Sequence, residues 1–265
     1  MEVLYGLHPV EEALRSGSER LDRLVVARER RDEKLERILS LARASKIRVS
    51  LEPREQLTRI AKIDAHQGVL AFLRDREFLS IEDLLSPVVD HPRFFLALDG
   101  VEDPHNLGAL LRTADGAGVD GVILPERRSA PISATVAKTS AGASEHVRIA
   151  RVTNLVRSLE QMKKSNVWVV GLDERGTPDY TDFDFATDCV LVLGREGAGL
   201  HDLVKKTCDY LLRIPMAGQV SSLNVSVAGA VVMYEALRQR RASSVQSKTA
   251  VSSRPVKSRK GLGSL

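Results

Sequence analysis

Six short apolar runs recur between Arg93 and Arg241, and their spacing leaves few ways for the chain to fold. FFLALDG, GVILP, HVRIA, NVWVVGL, CVLVLG and YLLRIP each have strand length, and helix-length segments separate them. A strand covered on both faces reads as a continuous apolar run, because no alternate side chain has to meet water. Such runs alternating with helices predict an α/β domain with a mostly parallel sheet and helices on both faces. The closing helix is expected near Ser222 to Gln239. In an open sheet of this kind, ligands collect in the crevice at the carboxyl ends of the strands.

The first part of the 265-residue chain repeats the alternation at a smaller scale. LDRLVVA, a helical EKLERILSLARAS, IRVSLE and GVLAFL predict a small α/β domain over residues 1–75. Residues 76–92 hold one short helical stretch, end at Pro92 and suit a linker. Residues 93–241 form the larger domain, and residues 242–265, free of acids and poor in bulky apolar groups, predict a disordered basic tail. The net charge of +4 is uneven: +2 over residues 1–75, −3 over 76–241 and +5 over 242–265. A folded body so close to neutral cannot grip nucleic acid by bulk charge, so any such surface must be a local cluster of Arg and Lys. Arg28, Arg30, Arg31, Arg43, Lys46 and Arg48 are candidates, offset in part by Glu29, Asp32, Glu33 and Glu36.

Cys189 and Cys208 have no metal-ligand or redox spacing and predict reduced, mostly buried thiols; no metal is expected. The N-terminus lacks the basic, then apolar pattern of a secretory signal. No uncharged apolar stretch approaches the roughly 18 residues of a membrane span, so the expected location is cytoplasmic, with no membrane partner.

Three polar segments each follow an apolar run. In LALDGVEDPHNLGALLRTADGAGVDGVIL, Asp103 and Asn106 suit turn or cap positions, and Arg112, six residues on, could share a crevice with Asn106. In VLVLGREGAGL, glycines 194, 197 and 199 surround Arg195 and Glu196, where backbone groups can approach a ligand closely. Their order, Gly-x-x-Gly-x-Gly, is not the dinucleotide fingerprint. In RIPMAGQVSSLNVSVAGAVVMYEAL, Ser221, Ser222 and Asn224 resemble a helix cap, while Met216 and Leu223 fit either a core or an apolar adenine slot. Each segment alone has an ordinary structural reading.

Taken together and in this order, the three segments resemble the SpoU (TrmH-like) RNA 2′-O-ribose methyltransferases, and the stretch from Phe94 to Leu237 is similar to the family's whole catalytic domain. The opening YGLHPVEEAL and HQGVLAF resemble its N-terminal RNA substrate-binding domain. The resemblance implies a SPOUT-type parallel sheet with a deep trefoil knot, whose loops would include those around Gly194 and Gly218. It also implies a ribosomal-protein-L30e-like N-terminal domain, S-adenosyl-L-methionine as cofactor and a homodimer that completes the site across its interface. The motif residues map onto Asn106, Arg112, Glu196 and Asn224. Cofactor contacts map onto Thr139, Gly194, Ile214, Met216, Leu223 and Asn224, with KTSAGASEH as an intermediate loop. RNA is the implied substrate: a guanosine ribose of 23S rRNA first, tRNA as the runner-up. A non-catalytic RNA-binding protein on the same fold is the alternative from another class, disfavoured because all four motif residues are present. A guanidinium is a poor base, so Arg112 is expected to hold phosphate or stabilise the developing oxyanion, with Glu196 orienting Arg112 or the loop.

Overall fold

The computed structural model describes residues 2–15, 20–62, 64–74 and 76–252. They form two compact units, Met1–Phe78 with Pro131–His146, and Leu79–Ala130 with Val147–Leu265.

The first unit opens with β1 (Glu2–Tyr5), α1 (Leu7–Arg15), β2 (Leu21–Ala27), α2 (Glu33–Ala44), β3 (Arg48–Glu52), α3 (Arg54–Ala61) and β4 (Val69–Leu73). The sheet order is β1-β4-β2-β3; β4 runs antiparallel to both neighbours, and β2 and β3 are parallel. Alternation along β2 divides the core in two. Leu24 and Val26 face α1 and α2 with Val10, Leu35 and Ile38, whereas Val25 and Ala27 face α3 with Leu57. Asp32 caps α2, its Oδ1 accepting from the Leu35 amide at 3.0 Å.

The second unit begins with α4 (Ile81–Leu85), β5 (Phe94–Leu98), α5 (Pro104–Gly116) and β6 (Gly121–Pro125). The chain then returns to the first unit for α6 (Ala134–Thr139) and α7 (Ala143–His146), so KTSAGASEH is largely helical rather than a loop. The second unit resumes with β7 (Ile149–Val152), α8 (Leu155–Lys164), β8 (Trp168–Leu172), β9 (Cys189–Leu193), α9 (Asp202–Thr207), β10 (Tyr210–Leu212) and α10 (Val225–Ser252). All six expected strands are present, in the order β10-β8-β9-β5-β6-β7, and every pairing is parallel. Phe95, Ala97, Val190 and Val192 pack with α8 and α9 residues on one face. On the other, α10 approaches α5 and β9 at Gly229, where a Cβ would come within 2.6 Å of Leu110 Cδ2 and 2.7 Å of Leu193 Cδ1.

Two boundaries differ from the sequence reading. Residues 76–92 do more than link: α4 buries Ile81 and Leu84 in the core of the second unit, and a Ser80–Asp83 capping box fixes its start. Burial of two such side chains contributes about 3–6 kcal/mol, enough to hold the segment in place. The tail expected to be disordered from residue 242 is instead helical as far as Ser252, because α10 meets neither Gly nor Pro after Gly229 and each added residue extends an existing helix at little cost. Residues 253–265 of that tail, and the domain limit at Asp75, lie outside the described residues. Among the described residues no helix is long and apolar enough to cross a membrane.

Both cysteines are free. Cys189 sits in the middle of the sheet, and burial pushes its thiol up to about 12. Burial does the same to Cys208, whose Sγ donates to the Val204 carbonyl. Thiolate is the reactive form, and at pH 8 such a thiol is ionised to only about one part in 10⁴. Iodoacetamide at pH 8 is therefore expected to leave both cysteines unmodified in the native protein over an hour and to alkylate both in urea, as read by intact mass; rapid native labelling of Cys208 would contradict the assignment.

Candidate active site

The parallel sheet brings the carboxyl ends of β5, β8, β9 and β10 to one edge, and the three polar segments leave the sheet there. After β5, Asp103 caps α5: its Oδ1 accepts from the amides of His105 at 2.6 Å and Asn106 at 3.3 Å, with Pro104 in the first helical position. Asn106 is thereby fixed in the opening turn. Before α10, Asn224 Oδ1 accepts from the Ser226 amide at 2.9 Å and the Ser226 hydroxyl at 2.6 Å. Asn224 is thus a capping residue, as its local sequence suggests, and its amide nitrogen remains free to point elsewhere.

After β9, the chain doubles back within six residues. Arg195 and Gly199 exchange backbone hydrogen bonds of 3.0 and 2.9 Å, and Gly197 and Gly199 take positive φ of 74° and 66°. Gly194 lies against this turn so closely that a Cβ would meet Gly199 C at 2.2 Å and Leu200 N at 2.3 Å. The turn aims Glu196 back at the other two segments. Asn106 Nδ2 donates to Glu196 Oε2 at 3.1 Å, and Asn224 Nδ2 donates to Asn106 Oδ1 at 3.0 Å and to Glu196 Oε1 at 3.4 Å. Residues 90 and 118 positions away from Asn106 thus close a triangle with it.

Arg112 does not join the triangle. It is exposed and has no hydrogen bond or ion pair among the described residues. Because α5 already begins at Pro104, Asn106 and Arg112 lie about 120° apart around its axis, so the single crevice imagined from their spacing is not formed within this chain. Glu196 has no hydrogen bond or ion pair with Arg112 among the described residues; its oxygens accept from the two asparagines.

Beside the triangle is a cavity of about 350 Å³. Gly194, Ile214, Met216 and Leu223 line it, joined by Leu172, Leu193, Val225 and Ala228 as apolar wall. Of the two other expected cofactor residues, Asn224 belongs to the triangle and not to the cavity lining, and Thr139 ends α6 in the first unit. The polar lining holds Arg195 and Glu196 of the turn, together with Asp173, Glu174, Arg175 and Lys205, which were not legible as a motif. Asp173 is buried, and Lys205 Nζ lies 2.5 Å from its Oδ2. Burial alone would raise this carboxyl's pKa, but the hydrogen bonds from Lys205 and the Arg175 amide, with the charge of Lys205, carry it below the usual carboxylate value. An apolar slot rimmed by glycine backbone, with a carboxylate and a cation at one end, matches an adenine nucleoside bearing a polar, charged arm.

The profile of the SpoU rRNA Methylase family matches residues 93–234, and that of RNA 2′-O ribose methyltransferase substrate binding matches residues 3–79. The chain belongs to the SpoU rRNA methylase family. It is 43% identical over 240 residues to the 23S rRNA (guanosine-2′-O-)-methyltransferase RlmB of Ralstonia nicotianae, covering 90% of this chain and 96% of that one. With RlmB of Bordetella pertussis it shares 42% over 239 residues, 90% of this chain and 98% of the relative. Among solved structures, the SpoU methyltransferase AviRb from Streptomyces viridochromogenes, in complex with the cofactor AdoMet, superposes with a TM-score of 0.68 at 26% identity, covering 91% of this chain and 90% of AviRb. An AdoMet-bound rRNA methyltransferase from Sinorhizobium meliloti gives 0.67 at 29% identity, covering 89% and 86%.

The asparagine–glutamate triangle and the cavity of this SpoU methylase both fall inside the span of the catalytic profile. Their joint dependence on Gly194 is open to test. In Gly194→Ala, the new methyl meets backbone atoms that cannot rotate away, so the 194–200 turn must open. The expected result is at least tenfold faster hydrogen exchange at the Arg195 and Gly199 amides with the sheet amides unchanged; unaltered exchange would show that the turn accommodates a side chain.

Proposed function

We propose that this chain methylates the ribose 2′-hydroxyl of a guanosine in 23S rRNA, using S-adenosyl-L-methionine, in the cytoplasm. One observation carries the reading: three segments far apart in sequence converge as the Asn106–Glu196–Asn224 triangle at the side of a glycine-rimmed apolar cavity. The relatives named as RlmB support the choice of rRNA over tRNA.

Gly194, Ile214, Met216 and Leu223 would hold the adenosine portion of the cofactor, and Asn224 its reactive end, with Thr139 added on the family resemblance. The bound sulfonium supplies a methyl carbon already activated for attack. The chain's part is to position the ribose and to manage one proton and one developing negative charge. Asn106 and Asn224 are fixed at helix starts and tied to Glu196, so the hydrogen bonds they offer are preorganised rather than gathered during the reaction. Arg112 holds the RNA phosphate and stabilises the oxyanion as charge develops. A guanidinium keeps its proton at ordinary pH, which fits this role better than that of a base.

The position of Arg112 supports a homodimer that completes the site across its interface. On α5 it shares the outward face with His105, seven residues earlier, and on α10 Val227 and Tyr234 are exposed at the same heptad spacing. A knotted path through the loops around Gly194 and Gly218, and an L30e-like character of the first unit, belong to the same reading; the gathering of the 194–200 and 213–224 loops at one sheet edge supports the former, and the α/β layering of residues 1–75 the latter.

The deciding experiment is methyl transfer to 23S rRNA and tRNA transcripts, with mapping of the modified ribose. Incorporation at one guanosine of 23S rRNA is expected; labelling of tRNA alone would transfer the assignment to tRNA, and no incorporation into either would end it. In the same assay Arg112→Ala is expected to lower kcat by about 10²–10³-fold with cofactor affinity retained. Full turnover by that variant would remove Arg112 from the mechanism.

A further inference from the structure

Arg195 lies between two residues of the site, yet the triangle leaves its side chain out. Its stem lies flat over Gly100 at the end of β5, where a Cβ would come within 2.6 Å of Arg195 Cγ and 2.9 Å of Cδ. Its Nε is buried and has no hydrogen-bond partner, and the guanidinium makes no ion pair among the described residues. The same point above Gly100 is 3.5 Å from His201 Cε1, so the arginine and the imidazole flank one spot on the backbone.

Behind them, buried Asp99 clamps His201: Oδ2 accepts from the His201 amide at 2.7 Å, and Oδ1 lies 2.8 Å from ring Nδ1. The other ring nitrogen, Nε2, is 3.2 Å from Arg128 NH1. A guanidinium has no acceptor, so Nε2 takes the Arg128 hydrogen and Nδ1 gives its own to Asp99. Arg128 is held with φ of 58°, a left-handed backbone uncommon for a side chain of this size. The adjacent carboxylates are engaged, Asp99 by His201 and Glu196 by the two asparagines. What remains is a row of guanidinium donors, beginning beside the triangle and running from the end of β9 past β5 to the loop after β6.

We propose that Arg195 and Arg128 form a subsite for a backbone phosphate of the RNA strand next to the ribose being methylated. The inference rests on the reading of this chain as an RNA methyltransferase and extends it to a specific point of substrate contact. The two terminal nitrogens of Arg195 are not among the buried atoms and have no anionic partner among the described residues, so they can donate to the oxygens of a phosphate. The carboxylate of the cofactor is the other anion nearby. Arg195 lines the cavity as well, but its Cγ and Cδ also cover Gly100 beside His201, and neither His201 nor Arg128 lines the cavity.

The test uses the full chain with Arg195→Met, which keeps an unbranched stem over Gly100, together with Arg195→Lys and Arg128→Ala. Binding of a fluorescent 23S rRNA fragment is measured across a salt series, and S-adenosylmethionine binding by calorimetry. Arg195→Met is expected to weaken RNA binding about tenfold and to reduce the slope of log K against log salt by about 0.7–0.9, the share of one phosphate. Arg128→Ala should act in the same direction, Arg195→Lys should retain the slope, and cofactor affinity should stay within about twofold. An unchanged RNA affinity and slope in Arg195→Met would make Arg195 a strut and overturn the subsite, as would a selective loss of cofactor affinity, which would assign the guanidinium to the cofactor. If the wild-type chain binds and methylates RNA while the variants behave like it, only the subsite fails; if the wild-type chain does neither, the functional reading fails with it.

Discussion

Gly194 at the end of β9 lies backbone on backbone against Gly199, with no room for a side chain between them. The short turn that results has two consequences. It points Glu196 back towards the starts of α5 and α10, and it leaves Gly197 and Gly199 with left-handed φ and their backbone groups along the wall of the cavity. Glycine is needed at 194 because any Cβ would overlap backbone atoms, which cannot rotate aside as a side chain can. The reaction centre and the cofactor slot therefore share one geometric condition.

The capping residues show how local and long-range roles combine. A helix start leaves amide donors without partners, and Asp or Asn side chains satisfy them. Asn224 does this with its oxygen and uses its nitrogen to reach Asn106 and Glu196. Asn106 is carried into place by the Asp103 cap, then accepts from Asn224 and donates to Glu196. Each such hydrogen bond contributes only about 0.5–1.5 kcal/mol net. The value of the triangle lies in orientation, since each amide is fixed at both ends before any ligand arrives.

Charge is arranged on the same principle. Residues 76–241 sum to −3, so this stretch offers no bulk attraction to a polyanion. At the carboxyl edge of the sheet, however, Asp99 is spent on His201, Asp173 on Lys205 and Glu196 on two asparagines. Arg112 and Arg195 are left without anionic partners among the described residues. A local excess of donors thus arises in a stretch of net negative charge because these acids are engaged internally.

Much of the architecture was legible before any coordinates. Six apolar runs become six parallel strands because a strand buried on both faces leaves a continuous apolar signature, and the split of β2 between two cores follows from period-two alternation. The short apolar pattern of α4 was legible as a helix but not as part of a core, because a pattern shows which face is apolar and not what covers it. The extension of α10 to Ser252 was missed because composition registers the lack of bulky apolar groups and not the cooperativity of a helix already begun. By itself, the sequence determined the strands, the capping chemistry and, through the order of three motifs, the family. The tertiary structure alone decided that Asn106, Glu196 and Asn224 touch while Arg112 faces outward, and that Asp99, His201, Arg128 and Arg195 stand together around Gly100. Such contacts join residues some 30 to more than 100 positions apart, and only the order of strands in the sheet sets which chain ends become neighbours.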